Sequence, residues 1–111
     1  MKILLVTQHA NALFTPLALL YLKAYLVAHG GVDAADVTIA EFDRAASADE
    51  ISAAVVSAQP DVVGFSCYVW NIGTLHDATR RIRAACPQAR IVLGGPEVGP
   101  VAGAVLERNP Q

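Results

Sequence analysis

Charge is scarce in this 111-residue sequence: 16% of its residues are Asp, Glu, Lys or Arg, against about 25% in an ordinary soluble domain. Eight basic and ten acidic residues leave a net charge of -2. That gives no electrostatic footprint for nucleic acid, and the small cluster Arg80, Arg81 and Arg83 reads as one solvated helix face. The two cysteines, Cys67 and Cys86, make no disulfide framework and stand too far apart for a metal-binding CxxC pair. No apolar run approaches the ~20 residues that cross a bilayer: the opening MKILLV spans six. Nothing in the sequence resembles a signal peptide, so a cytoplasmic location away from membranes is expected. No repeat, linker or low-complexity segment interrupts the chain.

What is present is apolar, at 54% of residues, enough for one domain with a well-covered core. Lys2 to Val6 is a continuous apolar run, as a strand buried on both faces should be. Thr15-Pro16 offers a cap and a first-turn proline. Leu17, Leu20, Tyr21, Ala24 and Ala28 then recur at helical spacing up to Gly30-Gly31. Val37 to Phe42 alternates, which suits a more exposed strand. Ser47-Ala48-Asp49-Glu50 is a capping box ahead of the stripe Ile51, Ala54, Val55 and Ala58, and Pro60 stops that helix. Asp61 to Ser66 reads as a third strand. Ile72, Leu75, Ala78, Thr79 and Ile82 mark a helix closed by Pro87, and Arg90 to Leu93 a fourth strand. A last short helix is expected from Pro100 to about Arg108.

Such alternation predicts an α/β chain: a flavodoxin-like (Rossmann-like) doubly wound parallel sheet in the order 2-1-3-4. A flavodoxin-type sheet has five strands. The fourth here is too apolar for a bare edge, so the expectation is a fragment cut before the fifth.

Ligands of such a sheet bind beyond the carboxyl ends of the strands, where the first and third part company. The segments there are Thr7 to Phe14, Ser66 to Ile72 and Gly94 to Gly99. The first has no glycine, which excludes a dinucleotide fingerprint and a P-loop. No acidic pair follows the first strand and no Asp ends the third, which argues against a phosphoacceptor receiver. With Glu97 the only acid in the three segments and no Ser-His-Asp set, no catalysis is expected from this chain alone. Gly94-Gly95 serves either close approach of a ligand to the backbone or a turn needing positive φ. Ser66 either donates into a cleft or caps the next helix. Tyr68 and Trp70 are covered either by a stacked ligand or neighbouring domain, or by local packing. His9 reads as a metal ligand or as a solvated or capping group, and Cys67 as a small buried hydrophobe or a thiol. His29 suits the last turn of its helix, and His76 a helix surface.

Taken together, MKILLVTQHANALFTPLALLYLKAYL, PDVVGFSCYVWNI and IVLGGPEVG resemble the amino-terminal cobalamin-binding domain of radical S-adenosylmethionine enzymes. Within these, the chain is similar to the group labelled anaerobic magnesium-protoporphyrin IX monomethyl ester cyclase-like. The resemblance implies cobalamin with its nucleotide tail in the sheet-edge cleft. The family's Asp-x-His-x-x-Gly loop supplies a lower axial ligand, and its Ser-x-Leu and Gly-Gly motifs line the tail pocket. By position, Ser66 and Tyr68 stand at Ser-x-Leu and Gly94-Gly95 at Gly-Gly. In the first motif Thr7 replaces Asp, His9 matches His, and Ala12 replaces Gly. An imidazole ligand needs an acceptor behind it, which Thr7 supplies poorly.

The resemblance therefore implies base-off cobalamin, with cobalt facing His9, Ala10, Asn11 and Ala12 and the segment Tyr68 to Asn71. Ser66, Cys67, Tyr68, Trp70, Asn71, Gly94, Gly95, Pro96 and Glu97 complete the expected site, with His9 the one candidate metal ligand, to cobalt. The three-cysteine motif for a 4Fe-4S cluster is absent, so the cluster and S-adenosylmethionine are expected only in a downstream domain of an oxidative cyclase or methyltransferase. That domain is the expected partner, beside self-association of the fragment. The alternative is a degenerate, cofactor-free scaffold or substrate-recognition domain.

Overall fold

The amino-terminal apolar run becomes β1, Ile3–Gln8, buried at every position in a computed structural model that describes residues 1–9, 17–68 and 71–94. The strand outlasts the apolar run because both neighbours continue to pair with it. Thr7 stands opposite Glu41 on one side and Ser66 on the other. Helix α1, Leu17–His29, follows, then a 3-10 turn at Ala34–Asp36 and β2, Val37–Phe42. The remaining elements are α2, Ala48–Ala58, β3, Val62–Ser66, α3, Ile72–Ala85, and β4, Arg90–Gly94. All pairings are parallel and the strand order is β2-β1-β3-β4, as the alternation of elements predicts.

Local signals explain most of the boundaries. Ser47 Oγ accepts the Glu50 N–H at 3.1 Å and starts α2. Gln59 ends it in the left-handed region (φ 48°, ψ 58°), and Pro60 cannot extend the helix. Gly31 takes φ +68° after α1, a conformation that side chains rarely adopt. The expected terminal helix after Pro100 lies outside the described residues, as does the Thr15-Pro16 cap.

Alternation along the strands sends side chains to two cores. Leu4, Val6, Val63 and Phe65 meet Ile51 and Val55 of α2 and Leu75, Ala78 and Ile82 of α3. Ile3, Leu5 and Val37 meet Leu19 of α1, with Leu26 and Ile39 packed beside them. The α3 stripe is the expected one. In α2, Ile51 and Val55 are buried and Ala58 is half-buried, whereas Ala54 is exposed.

Helix α1 forms and ends where expected, but the face it buries is not the one its spacing marks. Leu19 is the buried residue, while Leu20, Tyr21, Ala24 and Ala28 face outward. The helix is apolar all round, with Lys23 its only Lys, Arg, Asp or Glu, so spacing alone cannot select the face that meets the sheet. Its outer side leaves Tyr21 69% and Tyr25 65% exposed. On the same side of the sheet Val92 of β4 is 55% exposed, so α1 covers β1 and β2 but not β4.

Candidate functional site

Two neighbouring backbone bonds show where the sheet opens. Beyond the Thr7–Ser66 pair, the His9 N–H turns to Phe42 O of β2 at 2.8 Å, and the Cys67 N–H turns to Gly94 O of β4 at 2.8 Å. The ends of β1 and β3 therefore diverge, each staying with its outer neighbour. This is the topological switch point of an open parallel sheet.

On the α1 side, the last register row runs Glu41, Thr7, Ser66, Gly94 across β2, β1, β3 and β4. The row beneath it runs Ile39, Leu5, Gly64, Val92. Over β3 and β4 the floor is thus made of glycine, a small hydroxyl and one valine. A Cβ at Gly64 would lie 3.2 Å from Leu5 Cδ2, whereas one at Gly94 would have Phe65 O as its nearest neighbour, at 3.9 Å. Gly31 is the positive-φ glycine among the described residues. Among the described residues, neither φ nor crowding therefore demands glycine at 94, and its bare backbone leaves the floor there without a side chain. Ser66 is buried in β3 and does not cap α3, whose N-cap is Asn71.

His9 sits just past β1. Its Nε2 lies 2.8 Å from Glu41 Oε1. A carboxylate only accepts, so Nε2 carries the proton and donates. The imidazole side chain is 12% exposed and the carboxylate 49%. Glu41 is the partner that sequence reading missed. It is 32 positions away, and the signal for it was the alternation of β2, which places Glu41 on the face of Thr7.

Gln8 is buried on the other face and donates Nε2 to the carbonyls of Asp43, Arg44 and Ala46 at 3.0–3.3 Å, holding the turn into α2. Asn71 is buried between the strand ends, its Nδ2 donating to Gln8 O and Ser66 O at 3.1 Å each. Its Oδ1 accepts the Tyr68 N–H at 2.7 Å. Tyr68 is half-buried, and Cys67 is fully buried in the core, the small-hydrophobe reading of that cysteine. His76 is half-buried on α3; burial first, and Arg80 second, push its pKa below the usual histidine value.

The structure thus brings His9, Ser66, Tyr68, Asn71 and Gly94 to one end of the sheet. Ala10, Asn11, Ala12, Trp70, Gly95, Pro96 and Glu97 lie outside the described residues. Among the described residues no three His, Cys, Asp or Glu side chains gather as metal donors, and no helix is long and apolar enough to cross a membrane. A shallow hollow at the opposite end of the sheet, lined by Met1, Asp61, Val62, Gln88 and Arg90, is remote from these residues.

Comparison with known proteins gives the family. The chain is similar to a cobalamin-dependent radical SAM methyltransferase, TokK, of Streptomyces tokunonensis: 35% identity over 52 residues, or 47% of this chain. That stretch is 8% of the relative's length, so the relative is a much longer protein. The family model described as B12 binding domain matches residues 3–111, which takes in every strand, helix and site residue described above, and the chain belongs to the B12 binding domain family.

Proposed function

We propose that this domain holds cobalamin base-off at the carboxyl ends of its strands, within a radical S-adenosylmethionine enzyme. The observation that carries the reading is the floor on the α1 side. Gly94 lacks a side chain that its backbone and its described neighbours would accept, and it adjoins Ser66 in the register. A flat strip of this kind, open beside α1, fits a planar aromatic base and its sugar. Gly64, Ser66 and Gly94 would hold the nucleotide tail, with the Ser66 hydroxyl as its hydrogen-bonding group. Tyr68 and the residues after His9 would face the corrin ring.

When bound, cobalamin supplies group or electron transfer at cobalt. The chain's own residues bind and orient. Thr7 and Ser66 bring two hydroxyl side chains to the switch point, and Glu41 holds the His9 ring against β2. The Nε2 nitrogen is committed to Glu41, which leaves Nδ1 as the ring nitrogen with a lone pair. Cobalamin without histidine ligation rests instead on the departure of the first motif, where Thr7 and Ala12 stand in place of Asp and Gly. The likeness to a methyltransferase supports a parent of the methyltransferase type, whose barrel domain carries the 4Fe-4S cluster and S-adenosylmethionine.

Absorbance titration with aquacobalamin, followed by gel filtration, tests the carrier role. Retained cofactor with a base-off spectrum is expected, and no retention at any concentration would favour the cofactor-free scaffold. Paramagnetic resonance of the cobalt(II) form tests the ligation. The wild-type and His9→Ala spectra should coincide, and nitrogen splitting that vanishes in His9→Ala would refute a histidine-free site.

A further inference from the structure

One side chain bridges the ends of β1 and β3 where their pairing stops. The peptide joining Gln8 to His9 sends its N–H to β2, and the peptide joining Ser66 to Cys67 sends its N–H to β4. Each trans peptide points its carbonyl opposite to its N–H. Gln8 O and Ser66 O therefore both point into the gap between β1 and β3, where the regular pairing ends at Thr7–Ser66. Buried carbonyls at the end of a ladder draw on side chains for further hydrogen bonds. The Asn71 carboxamide carries two N–H groups, and Nδ2 donates to both carbonyls at 3.1 Å. The remaining oxygen takes the Tyr68 N–H, while the Asn71 N–H returns to Tyr68 O at 3.1 Å.

Each polar atom of the side chain is thus used within the protein, and Asn71 is 1% exposed. It is read from sequence as a group facing the ligand, and here it is spent on the scaffold. An aspartate offers no donor when ionised, a leucine none at all, and a serine only one. The amide alone among side chains of this length satisfies two carbonyls and one N–H together.

We propose that Asn71 is a positioning residue that sets the width of the switch-point crevice and couples it to the Tyr68 turn, so that the nucleotide end of a bound corrinoid is measured by this carboxamide. The inference rests on the cobalamin reading of the site. It assigns Asn71 no contact with the cofactor: the residue acts through Ser66, in the floor of the groove, and through Tyr68 at its rim.

The test compares aquacobalamin with cobinamide, which lacks the nucleotide tail. A residue that only stabilises the fold changes both affinities by the same factor. A residue that gauges the crevice changes their ratio. In Asn71→Asp, which keeps the acceptor for Tyr68 but sets a carboxylate against two carbonyls, the preference for aquacobalamin over cobinamide should fall about ten-fold, the effect of one buried group left unsatisfied. Asn71→Leu should lose a similar factor. An unchanged ratio in a folded variant overturns the inference alone. A wild-type chain that takes up neither corrinoid overturns the cobalamin reading, and the inference with it. Should neither variant fold, hydrogen exchange on the wild type decides the matter. The Tyr68 amide, which ends on Asn71 Oδ1, should exchange at least several-fold more slowly with aquacobalamin bound than with cobinamide, and equal rates overturn the proposal.

Discussion

Replacing Gly94 separates what the fold needs from what the site needs, because the two requirements predict opposite signs. Among the described residues an alanine Cβ at this position meets nothing closer than Phe65 O at 3.9 Å, and the backbone is not in the left-handed region. Glycine in a strand costs about 0.5–1 kcal/mol relative to alanine, so Gly94→Ala should stabilise the chain by that amount. In a domain of this size that raises Tm by roughly 2–6 °C. Gly64→Ala is the contrasting case, since its Cβ would press on Leu5 Cδ2 at 3.2 Å, and its Tm should rise less or fall. Gly94→Leu, still compatible with the fold, would project into the groove beside Ser66. Overfilling a packed site costs about 1–3 kcal/mol, which weakens aquacobalamin roughly 5- to 150-fold. Circular dichroism melts and absorbance titration read the two quantities on the same sample. Wild-type affinity in Gly94→Leu would refute the placement of the tail. A Gly94→Ala chain less stable than wild type would refute the reasoning about its backbone.

His76 should make stability depend on acid. Burial, then Arg80, lower its pKa in the folded chain from 6.5, so the unfolded chain binds the extra proton more readily. The contribution is held above pH 6.5 and is lost as pH falls through that value toward the lower folded one. Urea midpoints at successive pH values should show this slope and show it flattened in His76→Gln; identical slopes in the two proteins would contradict the assignment. The outer side of α1 and Val92 should drive self-association. Sedimentation of wild type should show concentration-dependent dimers that the double variant Tyr21→Lys, Tyr25→Lys abolishes, and a wild type that stays monomeric at high concentration would remove the basis for that surface.

The chain of elements was readable in the sequence because each had its own local signal: the two-faced apolar runs of β1 and β3, the Ser47 cap, Gly31 and Pro60. The strand order β2-β1-β3-β4 followed from the flavodoxin-type pattern that a doubly wound sheet takes. Two features were not readable, for different reasons. Lacking a polar face, α1 gave periodicity no means of choosing Leu19 over Leu20 as the buried residue. The Glu41–His9 and Asn71–Gln8–Ser66 contacts join residues brought together only by register, which no spacing along the chain encodes. Of the expected site, His9, Ser66, Tyr68, Asn71 and Gly94 converge. Two of them, His9 and Asn71, turn out to bond to the protein itself.

The central place of β1 has a consequence for how the chain assembles. Its pairing with β2 needs residues only up to Phe42, but its other neighbour begins at Val62, opposite Ile3. At about 5–20 residues per second, the stretch from Phe42 to Ser66 takes roughly 1–5 seconds, during which β1 waits for the partner that covers its second edge. During that interval the β1-α1-β2 unit displays a bare strand edge and a helix with no polar side to shelter behind. Within this domain, the stage most exposed to misassociation during synthesis therefore ends with the delivery of β3.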